Sequence, residues 1–188
     1  SSEHDQWHGT VNATHDAHML GVQDAVILCT KAYQLPDAVT HLAPLLGEET
    51  VVVPAVNGLP WWYFHQHGGE FDGKQLANLD PSGTLAAAIE PRRIIGCVNY
   101  LAGTMTQPGH VHYVHELERR IVIGELDGTL TPRLERLGAA FAAGGFAPVL
   151  AEDIRQSIWH KLWGNIAFNP ISALTHGTID PIAEGYHD

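Results

Sequence analysis

Two short, unbroken apolar runs constrain this chain most. They are Asp24-Ala-Val-Ile-Leu-Cys-Thr30 and Thr50-Val-Val-Val-Pro-Ala-Val56. An apolar run without polar alternation marks a parallel strand buried on both faces. Between them Leu35, Ala38, Val39, Leu42, Leu45 and Leu46 recur at helical spacing and predict one amphipathic helix that stops near Gly47. Strand, helix and strand within about thirty residues form a βαβ unit, which builds a parallel sheet through right-handed crossovers.

The same alternation continues along the chain. A short helix is predicted from Ser82 to Ile89 and a strand from Arg93 to Tyr100. Val111 to His115 and Arg120 to Gly124 read as two strands around a polar turn. A helix from Thr131 to Ala143 and a strand from Phe146 to Leu150 follow. From Ala151 onward only helix signals remain, with Glu152 and Asp153 expected in a first turn, where the helix dipole favours acids. The fold class is therefore α/β. A sheet-bearing domain over residues 1–150 precedes the start of an all-α domain over residues 151–188.

Composition narrows the partners. The formal charge of −11 repels phosphate backbones and anionic membrane surfaces, so neither nucleic acid nor membrane is expected. A local lysine can still hold an anionic small molecule. The stretch from Leu137 to Ala151 is broken by glycines and a proline and is too short to span a bilayer. No charged segment precedes an apolar one at the N-terminus, so no secretory signal is expected. The two cysteines, Cys29 and Cys97, lie in apolar runs and read as buried free thiols, which suits a reducing, cytoplasmic compartment.

Ligands of open parallel sheets bind outside the carboxyl ends of the strands. Lys31 and Asn57 stand at two such ends. Lys161, Asn165 and Asn169 follow one another at four-residue steps, so a helix places all three on one face. A lysine and two amides so aligned could grip a carboxylate, a hydroxyl and a ketone oxygen. Trp159, Leu162, Ile166 and Phe168 point elsewhere and are expected to pack into the body. Plainer readings exist. On spacing alone Lys161 is a surface helix lysine, and Asn57-Gly58 is a turn wherever it occurs. Asn169 before Pro170 reads as a cap at the junction of two helices. Among the histidines, His110 and His112 would share a strand face near His115. No cysteine or carboxylate backs them at metal-site spacing, so a solvated sheet edge is expected and no metal.

Several stretches together resemble one family. They are Val26-Ile-Leu-Cys-Thr-Lys31-Ala-Tyr-Gln34, Val56-Asn57-Gly58, Gly109-His-Val-His112, Ile123-Gly-Glu125, and Trp159-x-Lys161-Leu-x-x-Asn165-x-x-x-Asn169-Pro-Ile-Ser-Ala-Leu-Thr175. In this order and spacing, from about residue 11 to about residue 182, they are similar to the ketopantoate reductases, or 2-dehydropantoate 2-reductases. The resemblance implies a Rossmann-type sheet and NADPH-dependent reduction of 2-dehydropantoate to pantoate in pantothenate synthesis. It implies that Lys161 is the general acid and that Asn165 and Asn169 hold the substrate. It places Asn57 between cofactor and substrate, and Lys31 and the backbone of Ala102 on the cofactor side. It also admits a homodimer. A related 2-oxo-acid reductase of the same fold is the alternative.

The chain departs from the family in three ways. The family's opening Gly-x-Gly-x-x-Gly turn has no counterpart, nor have the later helices that contribute a serine and a glutamate. The sequence is therefore expected to be an incomplete chain, binding dinucleotide weakly by itself; taken as complete, it would be a non-catalytic fragment or binding module. NADPH is told from NADH after the second Rossmann strand, which is also outside the match. Leu59-Pro-Trp-Trp-Tyr-Phe64 brings a bulky aromatic run close to the expected cleft, and Ile179 stands near the place of a further substrate-contacting asparagine.

Overall fold

The computed structural model describes residues 11–101, 103–113 and 119–177. Ala102, His115 and Ile179 lie outside the described residues. Strand β1 (Gln23–Leu28) pairs in parallel with β2 (Leu46–Pro54), with Ala25 opposite Val51 and Leu28 opposite Pro54. Their connection is helical but broken. It runs through a 3-10 turn at Ala32–Gln34, the helix α1 (Leu35–Ala38) and two more 3-10 turns. Pro44 has no N–H to continue a ladder, and the Thr40 hydroxyl donates to the Asp37 carbonyl at 2.7 Å, so one long helix does not form. The predicted apolar stripe survives, because Leu35, Val39 and Leu42 are buried. Leu46 already opens β2.

The short helix α2 (Thr84–Ala88) leads to β3 (Ile95–Asn99), which meets β2 through a parallel bridge between Val52 and Ile94. Strand β3 pairs antiparallel with β6 (Arg120–Glu125), and β6 pairs in parallel with β7 (Ala147–Leu150). Helix α3 (Pro132–Ala143) is the crossover between the last two. The sheet is thus parallel between β1 and β2 and between β6 and β7, where helical connections lie, and antiparallel between β3 and β6, whose connection shows no helix among the described residues. Strands β4 (Gly103–Gln107) and β5 (His110–Tyr113) form a separate antiparallel hairpin. Both strands expected around residues 111–124 are present as β5 and β6; β5 pairs with β4 through a turn at Pro108-Gly109, with Gly109 at φ +79°, and the stretch expected as a turn before β6 lies outside the described residues.

Side chains alternate across the sheet. Val52, Ile94, Val98 and Val122 face one core with Trp61, Trp62, Ile154 and Ile158. Val51, Val53, Ile95, Cys97, Ile121 and Ile123 face the other, against Leu134 and Leu137 of α3. Strand β1 departs from expectation. Among the described residues its one partner is β2, and Ile27 is 43% exposed, so it is not covered on both faces. Cys29, just past its end, is exposed, whereas Cys97 is buried as expected.

Helix α4 (Ile154–Thr175) has its fully buried residues in its first turns. Ile154 and Ile158 are buried against β3 and β6. Glycines make room for them: a Cβ on Gly96 would stand 2.7 Å from Ile154 and 2.8 Å from Trp62. The helix begins at Ile154, at least two residues later than expected, so Asp153 is its cap, Glu152 precedes it, and neither is a first-turn acid. The Asp153 carboxylate accepts from the N–H groups of Arg155 at 2.9 Å and Gln156 at 3.1 Å. The helix also runs through Pro170 to Thr175, so Asn169 neither ends one helix nor caps another. Beyond Ile158 the expected packing is not seen. Trp159 is 48% exposed, Ile166 58% and Trp163 75%, while Leu162 and Phe168 are half-buried. Among the described residues no helix is long and apolar enough to cross a membrane.

Candidate active site

The register of β1 and β2 sets the floor of a cleft. Leu28 and Pro54 are partners, and the Ala55 N–H donates to the Leu28 carbonyl at 2.9 Å. Lys31 and Asn57 each lie three residues past this pair, at the carboxyl end of the sheet. Gly58 adopts φ +97°, which turns the chain away and leaves Asn57 at the rim. Strand β3 ends beside them, where the Asn99 side-chain amide donates to the Ala55 carbonyl at 3.3 Å.

Helix α4 delivers Lys161 to this edge. The Lys161 ammonium donates to Asn57 Oδ1 at 2.6 Å and to the backbone carbonyl of Asn99. It also lies 5.6 Å from the centroid of the Tyr100 ring. Among the described residues these two acceptors hold the ammonium, which has three N–H donors in all. The cleft is shallow and open, with a cavity volume of about 20 Å³, and is lined by Asn57, Gly58, Trp62, Cys97, Lys161 and Asn165. Burial pushes the Lys161 ammonium below the ordinary lysine range, an effect that the Cys97 thiol partly offsets. Burial likewise pushes the Cys97 thiol up to about 12; Cys29 adds to that rise and Lys161 opposes it.

The loop after Asn57 forms a wall. Trp61 and Trp62 are buried in the core rather than lying across the cleft, and Trp62 reaches the cleft edge. Arg155 ties this loop to α4. Its guanidinium donates to the carbonyls of Tyr63 at 2.7 Å, His65 at 2.6 Å and Leu126 at 2.5 Å. Trp159 Nε1 donates to the Tyr63 hydroxyl at 2.8 Å.

The structure brings together Lys161, Asn57 and Asn165 of the residues expected from sequence. Asn169 is exposed and does not line the cleft. Lys31 is exposed and takes no part in these hydrogen bonds; its neighbour Ala32 lines an adjoining pocket that Asn57 shares. Ala102 is outside the described residues. His110 and His112 are exposed on β5, and among the described residues no three His, Cys, Asp or Glu side chains converge as a metal site. The sequence reading passed over Asn99 and Tyr100 as site residues. Their place at the carboxyl end of a strand, the criterion that found Asn57, would have found them.

An α/β sheet of Rossmann type, with a half-buried lysine at the carboxyl ends of its strands, defines the class of this chain. Residues 2–67 match the family model described as ketopantoate reductase PanE/ApbA. A 2-dehydropantoate 2-reductase of Mesorhizobium japonicum is 43% identical over 172 residues, covering 92% of this chain and 52% of the relative. The crystal structure of a proposed ketopantoate reductase from Ralstonia solanacearum MolK2 superposes with a TM-score of 0.87 at 42% identity. The match covers 94% of this chain and 54% of that one. The 2-dehydropantoate 2-reductase of Geobacter metallireducens GS-15 superposes with a TM-score of 0.70 at 26% identity, covering 89% of this chain and 48% of that one. The chain belongs to the ketopantoate reductase family, and it spans about half the length of these relatives.

Proposed function

We propose that this chain carries the proton-donating half of a reductase that converts 2-dehydropantoate to pantoate with NADPH, in pantothenate synthesis. The observation that carries the reading is the Lys161 ammonium. It is half-buried at the strand ends, held by Asn57 and the Asn99 carbonyl, and lines the cleft. On this reading residues 1–150 form part of the dinucleotide-binding domain and residues 151–188 begin the helical domain.

The residues at the cleft suit a nicotinamide cofactor. Lys31, Asn57 and the backbone of Ala102 would hold it, on the side of the sheet ends. The bound nicotinamide supplies the hydride. As the ketone carbon is reduced, negative charge builds on its oxygen. Lys161 stabilises that charge and delivers the proton. Asn57 accepts from Lys161 through Oδ1, which leaves its Nδ2 as a donor to the bound groups. Asn165, on the cleft wall, orients the hydroxy-acid end, and Asn169 extends the same helix face toward it. Two unpaired cysteines fit a reducing, cytoplasmic setting.

The test is oxidation of NADPH by the full-length protein with 2-dehydropantoate. Lys161→Ala should lower turnover by about three orders of magnitude, the scale of general-acid loss. Near-normal turnover removes Lys161 from the acid role. The second reading, a reductase of another 2-oxo acid, is favoured by Trp62 at the cleft wall. A panel of 2-oxo acids with NADPH and NADH separates the two: turnover of another acid without turnover of 2-dehydropantoate selects the second.

A further inference from the structure

The ring of Tyr100 carries two cations, Lys161 and Arg120, and the chemistry above uses neither the ring nor the arginine. We propose that Tyr100 is the positioning residue of Lys161 and that Arg120 holds the ring in place. The inference rests on Lys161 being the proton donor.

A lysine side chain has four rotatable carbon–carbon bonds, so a fixed ammonium needs several constraints. Asn57 and the Asn99 carbonyl supply two. Asn57 stands on an exposed turn. The Tyr100 ring supplies a broad attractive face, with the ammonium 5.6 Å from its centroid.

The ring is itself anchored twice. The Tyr100 N–H donates to the Arg120 carbonyl at 3.0 Å, one step beyond the ladder pair Asn99–Ile121. The Arg120 guanidinium lies 4.0 Å from the ring centroid. Backbone and side chain therefore bind the same two residues. Tyr100 and Arg120 are also the two feet of the excursion that carries the β4–β5 hairpin, which begins at Leu101 and returns at Arg119. The attraction belongs to the aromatic face rather than to the hydroxyl, so phenylalanine should serve in its place.

The experiment compares Tyr100→Leu, Tyr100→Phe and Arg120→Leu in the full-length protein. Tyr100→Leu should lower kcat by about tenfold with KM nearly unchanged, the scale of a partly desolvated cation–π contact. Tyr100→Phe should restore kcat to within about twofold. A kcat unchanged in Tyr100→Leu overturns the proposal, and so does Tyr100→Phe falling as far as Tyr100→Leu. The rate at which acetic anhydride acylates Lys161, read by mass spectrometry at fixed pH, needs no turnover. It should rise in Tyr100→Leu and stay unchanged in Tyr100→Phe; equal rates in all three proteins overturn the contact. If the wild-type protein reduces no 2-oxo acid, the function proposed above fails and the acylation rates alone decide the Tyr100 contact. If Tyr100→Leu does not fold, Arg120→Leu takes its place: kcat and acylation both at wild-type level overturn the proposal.

Discussion

Lys161 and Asn57 stand 104 residues apart in the chain and 2.6 Å apart at their side-chain tips. The contact joins the turn after β2 to the second turn of α4. Sheet and helix must both be folded before the ammonium finds its acceptor, so the candidate site is a product of tertiary structure rather than of either element.

The first prediction concerns pH. Burial disfavours the charged form of Lys161, so its proton leaves at a lower pH than from an ordinary lysine at 10.5. Turnover that needs the ammonium should therefore fall on the alkaline side below pH 10.5. Initial rates across the alkaline range check this, and a limb at or above the ordinary value counts against it. The sign for stability follows. The unfolded lysine holds its proton more tightly, so stability should rise with pH between the folded and ordinary values. Lys161→Met should remove that slope.

A second prediction separates the two thiols. Cys29 is exposed and Cys97 is buried with its thiol pushed up to about 12. A thiolate-specific reagent should label Cys29 first in the native protein, although burial also raises the Cys29 thiol somewhat. Both should react once the protein is unfolded. Peptide mapping reads the order, and equal native rates refute it.

Arg155 supports the third. Its guanidinium serves three backbone carbonyls, two on the aromatic loop and one just past β6. Arg155→Met leaves those carbonyls to find water and should cost about 3 kcal/mol of stability in denaturant unfolding. Because Trp62 lies on that loop and at the cleft edge, turnover should fall as well. A stable variant with full turnover would separate the loop from the site.

The fourth rests on the Glu125 carboxylate, which is 4% exposed. Arg133 pairs with it at 2.5 and 2.7 Å, and the Thr131 hydroxyl donates to it at 2.5 Å. Arg133→Met strands a buried charge and should cost about 3 kcal/mol, reduced from the fully buried case because Arg133 is partly exposed. Adding Glu125→Gln should recover part of the loss. A double variant no better than the single one would show that the pair is not coupled.

Much of the fold was legible because apolar runs and helical spacing are local signals. Val51 to Val53 and Ile95 to Val98 are strands for that reason, and Thr131 begins α3 as a cap. What escaped was set by pairing partners. Ile27 lies in an apolar run, yet with β2 its one strand partner among the described residues it is exposed. The β4–β5 hairpin is short and exposed, so no buried face marks it. Pro170 signals a helix end locally, but α4 continues through it. Lys161, Asn57 and Asn165 were legible as candidates from strand ends and helix spacing. Asn99 shares that strand-end place, but it holds the ammonium through its backbone carbonyl, which every residue possesses, so its side chain does not announce the role.

The one-sided docking of α4 makes it a cantilever. Its fulcrum is Ile158, the last buried residue, and Lys161 lies about 4.5 Å along the axis from it, while Asn169 lies about 16.5 Å away. Any tilt about that fulcrum sweeps Asn169 through roughly four times the arc of Lys161. The same geometry sets the proton donor near the anchored root of α4, where a change in helix angle displaces it least, and the outer amide where such a change displaces it most.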